Sequence, residues 1–213
     1  AWHTRQLSKQ LMVSKSKTEP MGVTVRARMS PVGEGLQVMV YSPDQADLFA
    51  RICGYFDQTG FNILDAKVHT AANGYALDTF QVVTHFTEEH YRDLINLVET
   101  GMTQTIALSK PLPTPSKGRM SRRVKSFPIT PRVSLQPDER GQKWLLSISA
   151  SDRVGLLYSV ASVLAKHKVN LFLAKISTLG ERVEDTFLID GAVLQQNKKQ
   201  LEIETELLTV LQP

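Results

Sequence analysis

Apolar residues recur along this chain in two sets of blocks that match one another. Leu36-Gln37-Val38-Met39-Val40-Tyr41 and Trp144-Leu145-Leu146-Ser147-Ile148-Ser149 are short apolar and β-branched runs, closed by the turn and cap signals Ser-Pro-Asp and Ala-Ser-Asp. Each predicts a strand. Leu48, Phe49, Ile52, Cys53 and Phe56 then fall at i, i+1, i+4, i+5 and i+8. Leu156, Leu157, Val160, Ala161 and Leu164 repeat that spacing, so each block predicts a helix with one buried face. Gly60 in one set and Lys166-His167-Lys168 in the other supply helix-ending chemistry, a glycine cap and cations against the dipole.

Residues 62–71 and 170–179 alternate apolar with polar, as half-buried strands do. Asn73-Gly74 and Gly180-Glu181 mark tight turns into further strands over 75–83 and 182–190, a hairpin in each set. A second helix follows, carried by Tyr91, Leu94, Ile95 and Val98, and by Leu201, Ile203, Leu207 and Leu208.

The two sets are a repeat in sequence as well as in pattern. Asn62-Ile63-Leu64-Asp65-Ala66-Lys67-Val68-His69-Thr70 is echoed by Asn170-Leu171-Phe172-Leu173-Ala174-Lys175-Ile176-Ser177-Thr178, and Asp78-Thr79-Phe80 by Asp185-Thr186-Phe187. Each unit, strand-helix-strand-strand-helix with room for one more strand, predicts an α+β fold. The expectation is two ferredoxin-like βαββαβ domains, antiparallel sheets with the helices on one face. The short runs Val23 to Met29 and Pro131 to Gln136, ahead of each first strand, are candidates for the missing strand. Residues 1–20 are assigned to a tail or the end of an upstream domain, 21–108 to the first unit, 109–126 to a linker and 127–213 to the second unit. A repeat of roughly 75 residues buries only about 60% of its unfolded surface, so the units are expected to lean on each other or on a second chain.

Composition refines this. Ser109 to Val133 holds seven cations, no acid and five of the ten prolines. Those seven exceed the net charge of +4, so the basic character belongs to the linker and the remainder is net acidic. Trp2, Leu7, Leu11 and Met12 form a ragged helical stripe, and the start carries neither a Met nor a secretory apolar region. Together with the lack of a run of about 20 apolar residues, this reads as a cytoplasmic piece of a longer protein that meets no membrane. Cys53 is alone and sits on a predicted helix's apolar stripe, so it reads as core. The five histidines lack metal spacing, and no metal site is expected.

No phosphate loop, dinucleotide loop or nucleophile elbow is present, and no catalytic residue is assigned. Asp78 and Asp185, each before Thr-Phe in a strand, read as structural. The informative loop is Ser151-Asp152-Arg153-Val154-Gly155-Leu156-Leu157, where a turn-forming Asp and a glycine precede a helix. Its amides suit a carboxylate. Asn170 is expected beside it, which makes Asp152, Arg153, Gly155, Leu156 and Asn170 the candidate ligand-binding set. Asp44, Gln45 and Asn62 are the weaker counterparts in the first unit, where Asp47 replaces the glycine and would crowd and repel a carboxylate. A ligand-free oligomerisation module is the second reading. An RNA-binding sheet is the third; it would need stacking aromatics, whereas Phe80 and Phe187 share strand faces with apolar residues, so no nucleic acid is expected.

The Asp-Arg-Val-Gly-Leu-Leu loop, the strand from Asn170 and Asp185-Thr-Phe together resemble the ACT domain, a ferredoxin-like module that binds small ligands, typically amino acids, at interfaces. With Tyr41-Ser42-Pro43-Asp44-Gln45, Phe127-Pro128-Ile129-Thr130-Pro131-Arg132-Val133 and Ala1-Trp2-His3-Thr4-Arg5, the tandem pair is similar to the C-terminal end of the bacterial protein-PII uridylyltransferase family. That resemblance implies upstream uridylyl-transferring and uridylyl-removing domains that use magnesium. It also implies a glutamine-sensing pair that switches between them, PII as the partner, and a homodimer through the sheets or helices. This chain itself carries neither catalytic domain and, on that reading, needs no cofactor.

Overall fold

The structure, a computed structural model, describes residues 2–14, 22–45, 47–71, 73–84, 91–109, 111–116 and 129–212. Most of the linker, with Phe127 and Pro128, lies outside the described residues, as do His85 and His90. Helix α1 (Trp2–Ser14) comes first. Strands β1 (Thr24–Met29), β2 (Leu36–Pro43), β3 (Asn62–His69) and β4 (Tyr75–Val83), with helices α2 (Leu48–Gln58) and α3 (Tyr91–Ala107), make the first repeat. Strands β5 (Arg132–Pro137), β6 (Trp144–Ser151), β7 (Asn170–Leu179) and β8 (Arg182–Asp190), with helices α4 (Leu156–Lys166) and α5 (Asn197–Leu211), make the second.

All eight strands form a single antiparallel sheet in the order β1-β2-β4-β3-β7-β8-β6-β5. Within each half the ferredoxin-like layout is present, with the completing strand supplied from the front. Strand β1 pairs with β2, and β5 with β6, on the edge that a strand after the second helix would otherwise fill. The two leading runs read from the sequence are these strands.

The halves meet where β3 pairs with β7, from Asp65↔Ser177 through Lys67↔Lys175 to His69↔Leu173. Each of these seam strands carries a register shift at the same place, between Ile63 and Asp65 and between Leu171 and Leu173. The pseudo-two-fold is therefore preserved down to the bulges.

Helices α2, α3, α4 and α5 cover one face. Helix α2 packs against α3 and α4, and α4 against α5. Close approach of α2 to α4 depends on Gly54, where a β-carbon would stand 2.9 Å from the Tyr158 ring. Phe56, Phe80 and Phe187 are fully buried beneath these helices. Phe49 of α2 reaches both halves, with ring centroids 6.3 Å from Phe80 and 6.3 Å from Phe187. The two cores are thus one, which answers the marginal burial expected of a lone repeat. Phe80 and Phe187 cannot stack on bases. Cys53 is buried here too, and desolvation holds its thiol well above the ordinary range.

On the other face α1 lies over the first half, with His3 Nε2 3.0 Å from Thr79 Oγ1 and the Trp2 ring under the Arg28 guanidinium at 4.3 Å. Met39, paired with Thr79 on that face, is fully buried.

Helices α2 and α4 end alike. The Phe61 amide donates to Phe56 O, and the Val169 amide to Leu164 O, with Gly60 (φ +75°) and Lys168 (φ +54°) both left-handed. Lysine bears a β-carbon strain there that glycine avoids. Lys168→Gly is accordingly expected to stabilise the fold by up to about 1 kcal/mol, read as a raised urea midpoint at unchanged m-value.

Candidate functional site

Two pockets lie under the helix layer, one for each strand-to-helix loop. The loops are built alike: the Asp44 amide donates to Gly74 O and the Leu48 amide to Gln45 O, while the Asp152 amide donates to Glu181 O and the Leu156 amide to Arg153 O. The Asp44 and Asp152 bonds tie each loop to the hairpin turn of its own repeat, and the other two close the loop onto its helix.

What completes each pocket comes from the other repeat. The first is lined by Asp152, Arg153, Gly155, Leu156 and Asp185 of the second repeat together with Asp57 and Asn62 of the first. The second is lined by Asp44, Gln45, Thr70 and Asp78 together with Asn170 and Leu171. The sequence-based set is therefore corrected. Asp152, Arg153, Gly155 and Leu156 converge, but Asn170 belongs with Asp44 and Gln45, and Asn62 takes its place beside Gly155.

Strand polarity is the reason. Both β6 and β7 run antiparallel to β8, so β7 starts at the end of the sheet opposite the close of β6, and Asn170 pairs with Asp190. The antiparallel β3–β7 seam carries Asn62 towards the far end of β7, where the Gly180-Glu181 turn meets the Asp152 loop. The exchange is reciprocal.

Gly155 is left-handed at φ +78°, and its helix start has no side-chain cap. A β-carbon there would stand 2.5 Å from Ser116 O, 2.8 Å from Ser116 Oγ and 2.9 Å from Asp57 Oδ1. The glycine notch thus exists, but it is filled by the chain's own Ser116, and about 30 Å³ stays free, room for a water or two. The groups nearest Gly155 are oxygens, and the Leu156 amide already donates to Arg153 O. A carboxylate cradle was expected from the loop sequence; the notch is instead rich in acceptors and suits N–H or O–H donors. Arg153 lines the same pocket with its Nη2 held at one side, donating to Val210 O at 2.6 Å at the end of α5.

Asp185 is 4% exposed and Asp78 1% exposed. Burial pushes both carboxyls up to about 7, although each accepts a backbone N–H, from Ser177 at 3.2 Å and from His69 at 3.3 Å. The structural role read from the sequence matches those bonds. Burial also raises Asp152 and Asp44, opposed by the Arg153 amide and by the Thr70 hydroxyl respectively. The Arg153 guanidinium is lowered by burial, with Asp57 acting the other way.

In the first repeat Asp47, at the position of Gly155, pairs with Arg51 at 2.5 Å. The Asn170 pocket leaves about 20 Å³ free. A wider open trough of about 560 Å³ lies on the opposite sheet face over the seam, among Leu64, Lys67, His69, Leu173 and Lys175, and gathers none of the candidate residues. Among the described residues no group of three or more His, Cys, Asp or Glu could hold a metal ion, and no helix is long and apolar enough to cross a membrane.

Asp57 was not found from the sequence. It closes α2 of one repeat and serves the pocket of the other, and no spacing within either repeat announces that.

Comparison with known proteins bears on this geometry. Residues 144–205 match the ACT domain. The chain is 57% identical over 99% of its length to the bifunctional uridylyltransferase/uridylyl-removing enzyme of Ralstonia nicotianae, and 53% identical over 99% to that of Cupriavidus metallidurans. It spans about a quarter of the length of these curated relatives, 24% of each. A crystal structure of aspartate kinase from Synechocystis is similar at a TM-score of 0.41 and 12% identity, over 96% of this chain and 31% of that one. The chain therefore corresponds in sequence to the C-terminal region of bifunctional uridylyltransferase/uridylyl-removing enzymes, with an ACT domain in its second repeat.

Proposed function

We propose that this tandem region senses a small amino acid, glutamine first among candidates, and thereby sets the balance of uridylylation and deuridylylation of PII by upstream catalytic domains in nitrogen regulation. The observation that carries the reading is the composite make-up of the Gly155 pocket. Its loop comes from one repeat, and Asn62 and Asp57 from the other. A ligand held there bridges the repeats, so its binding energy differs between arrangements of the two, which is what a regulator requires. A tenfold to hundredfold preference needs only about 1.4 to 2.8 kcal/mol, within reach of a few hydrogen bonds. Glutamine offers an ammonium and a carboxamide as donors to the acidic lining, and Arg153 stands at the rim as a partner for its carboxylate.

Calorimetric titration of this chain with L-glutamine tests the proposal. Saturable heat is expected from the wild type. Asp152→Ala, which removes a lining acceptor, and Gly155→Asp, which fills a left-handed notch, are expected to abolish it, with circular dichroism confirming that each variant is folded. Absence of heat in the wild type, under conditions where a full-length enzyme responds to glutamine, would remove this site from consideration.

A further inference from the structure

We propose that Asp57 grips the donor end of the ligand in the Gly155 pocket, and that Ser116 occupies that position as an internal competitor which the ligand must displace. The inference rests on the sensing role above and adds to it a binding residue and a gate.

Ser116 gives Asp57 two donors at once. Its amide N–H reaches Oδ2 at 2.8 Å, and its hydroxyl donates to Oδ1. Both carboxylate oxygens are thus engaged by a compact pair of donors, the arrangement an ammonium or a carboxamide would present. The segment is anchored a second time where the Tyr158 hydroxyl donates to Pro113 O at 2.5 Å, and Leu112 packs against the core.

Its sequence, Pro111-Leu112-Pro113-Thr114-Pro115-Ser116, suits a strap. Alternate prolines fix φ and favour an extended chain, which lowers the entropy lost on docking. With about 30 Å³ left free, strap and amino acid cannot share the notch. Strap docking and ligand binding are therefore mutually exclusive, and each lowers the apparent affinity of the other.

The device is confined to one pocket. The residue equivalent to Asp57 in the second repeat is Ala165, so the Asn170 pocket has no such acceptor from the end of its neighbouring helix. Ser116 directly precedes Lys117, the first cation of the 117–125 run.

The test uses the intact chain and L-glutamine. Ser116→Pro removes both donors while keeping the proline-rich character, and is expected to bind glutamine about tenfold more tightly than the wild type. In the wild type, saturating glutamine is expected to accelerate hydrogen exchange at the Ser116 amide. Asp57→Asn placed in the Ser116→Pro background is expected to weaken binding by about tenfold. N-acetylglutamine, which lacks the ammonium, is expected to discriminate poorly between the two backgrounds.

Equal affinity of the wild type and Ser116→Pro, with the Ser116 amide still protected at saturation, overturns the competitor while leaving glutamine sensing intact. Undiminished binding by the Asp57→Asn double variant overturns the role of Asp57. Failure of glutamine to bind either the wild type or Ser116→Pro overturns the sensing role itself, and this inference with it.

Discussion

Replacing Phe49 by alanine is expected to destabilise both repeats together, by about 3 to 5 kcal/mol. The ring is 7% exposed and stands between Phe80 of one repeat and Phe187 of the other. Truncation removes its transfer energy and leaves a void at the junction of two otherwise thin cores. Urea denaturation in a Trp2→Phe background, followed by Trp144 fluorescence and by circular dichroism, reads the effect. Trp144 opens β6, far along the chain from residue 49, so it reports on the second repeat. Both signals should move to a lower midpoint and stay coincident. A Trp144 transition left at the wild-type midpoint would mean that the repeats unfold separately, contrary to the shared core.

The second large effect is on pH dependence. Asp78 and Asp185 have carboxyls pushed up to about 7 by burial, whereas an unfolded chain ionises an aspartate near 3.9. Between those values the folded protein holds protons that the unfolded chain has released. Stability therefore falls as pH rises from about 4 to about 7, and levels once both states are ionised. Each carboxyl contributes a slope of up to about 1.4 kcal/mol per pH unit. Neighbouring acids act in the same direction, Asp44 on Asp78, and Asp152 and Glu184 on Asp185.

Asp78→Asn with Asp185→Asn keeps an oxygen to accept the His69 and Ser177 amides but carries no titrating proton. Thermal melts at pH 5, 6, 7 and 8 should show the wild-type midpoint declining towards pH 7 and the double variant nearly flat, with the variant ahead at pH 8. A wild-type midpoint that rises across this range would contradict the raised carboxyls.

Much of the fold was legible because the chain states it twice. The 108-residue offset from Asn62 to Asn170 aligned strands whose individual signals are short, and helix periodicity at Leu48 and Leu156 placed the same turn in both copies. The leading strands could be found because each unit lacked an edge. The loop carrying Asp152 and Gly155 was readable from turn chemistry, since a left-handed residue before a helix favours glycine.

The partnership of the pockets was not readable, because it depends on β3 pairing with β7, a contact between segments whose patterns say nothing about each other. From that pairing follow the exchange of Asn62 for Asn170 and the arrival of Asp57. The strap escaped notice for another reason. A proline-rich stretch looks like a spacer by composition, and it is the bonds to Asp57 and from Tyr158 that show it has an address.

The reciprocal construction of the pockets has one more consequence. Had the ancestral unit stayed a symmetric pair of separate chains, any change to one cavity would have been imposed on its twin. In one continuous chain that constraint is absent, so Asp47 stands on one side where Gly155 stands on the other, and an acid at 57 answers to a plain alanine at 165. A single polypeptide can in this way carry two cavities of the same plan and different chemistry.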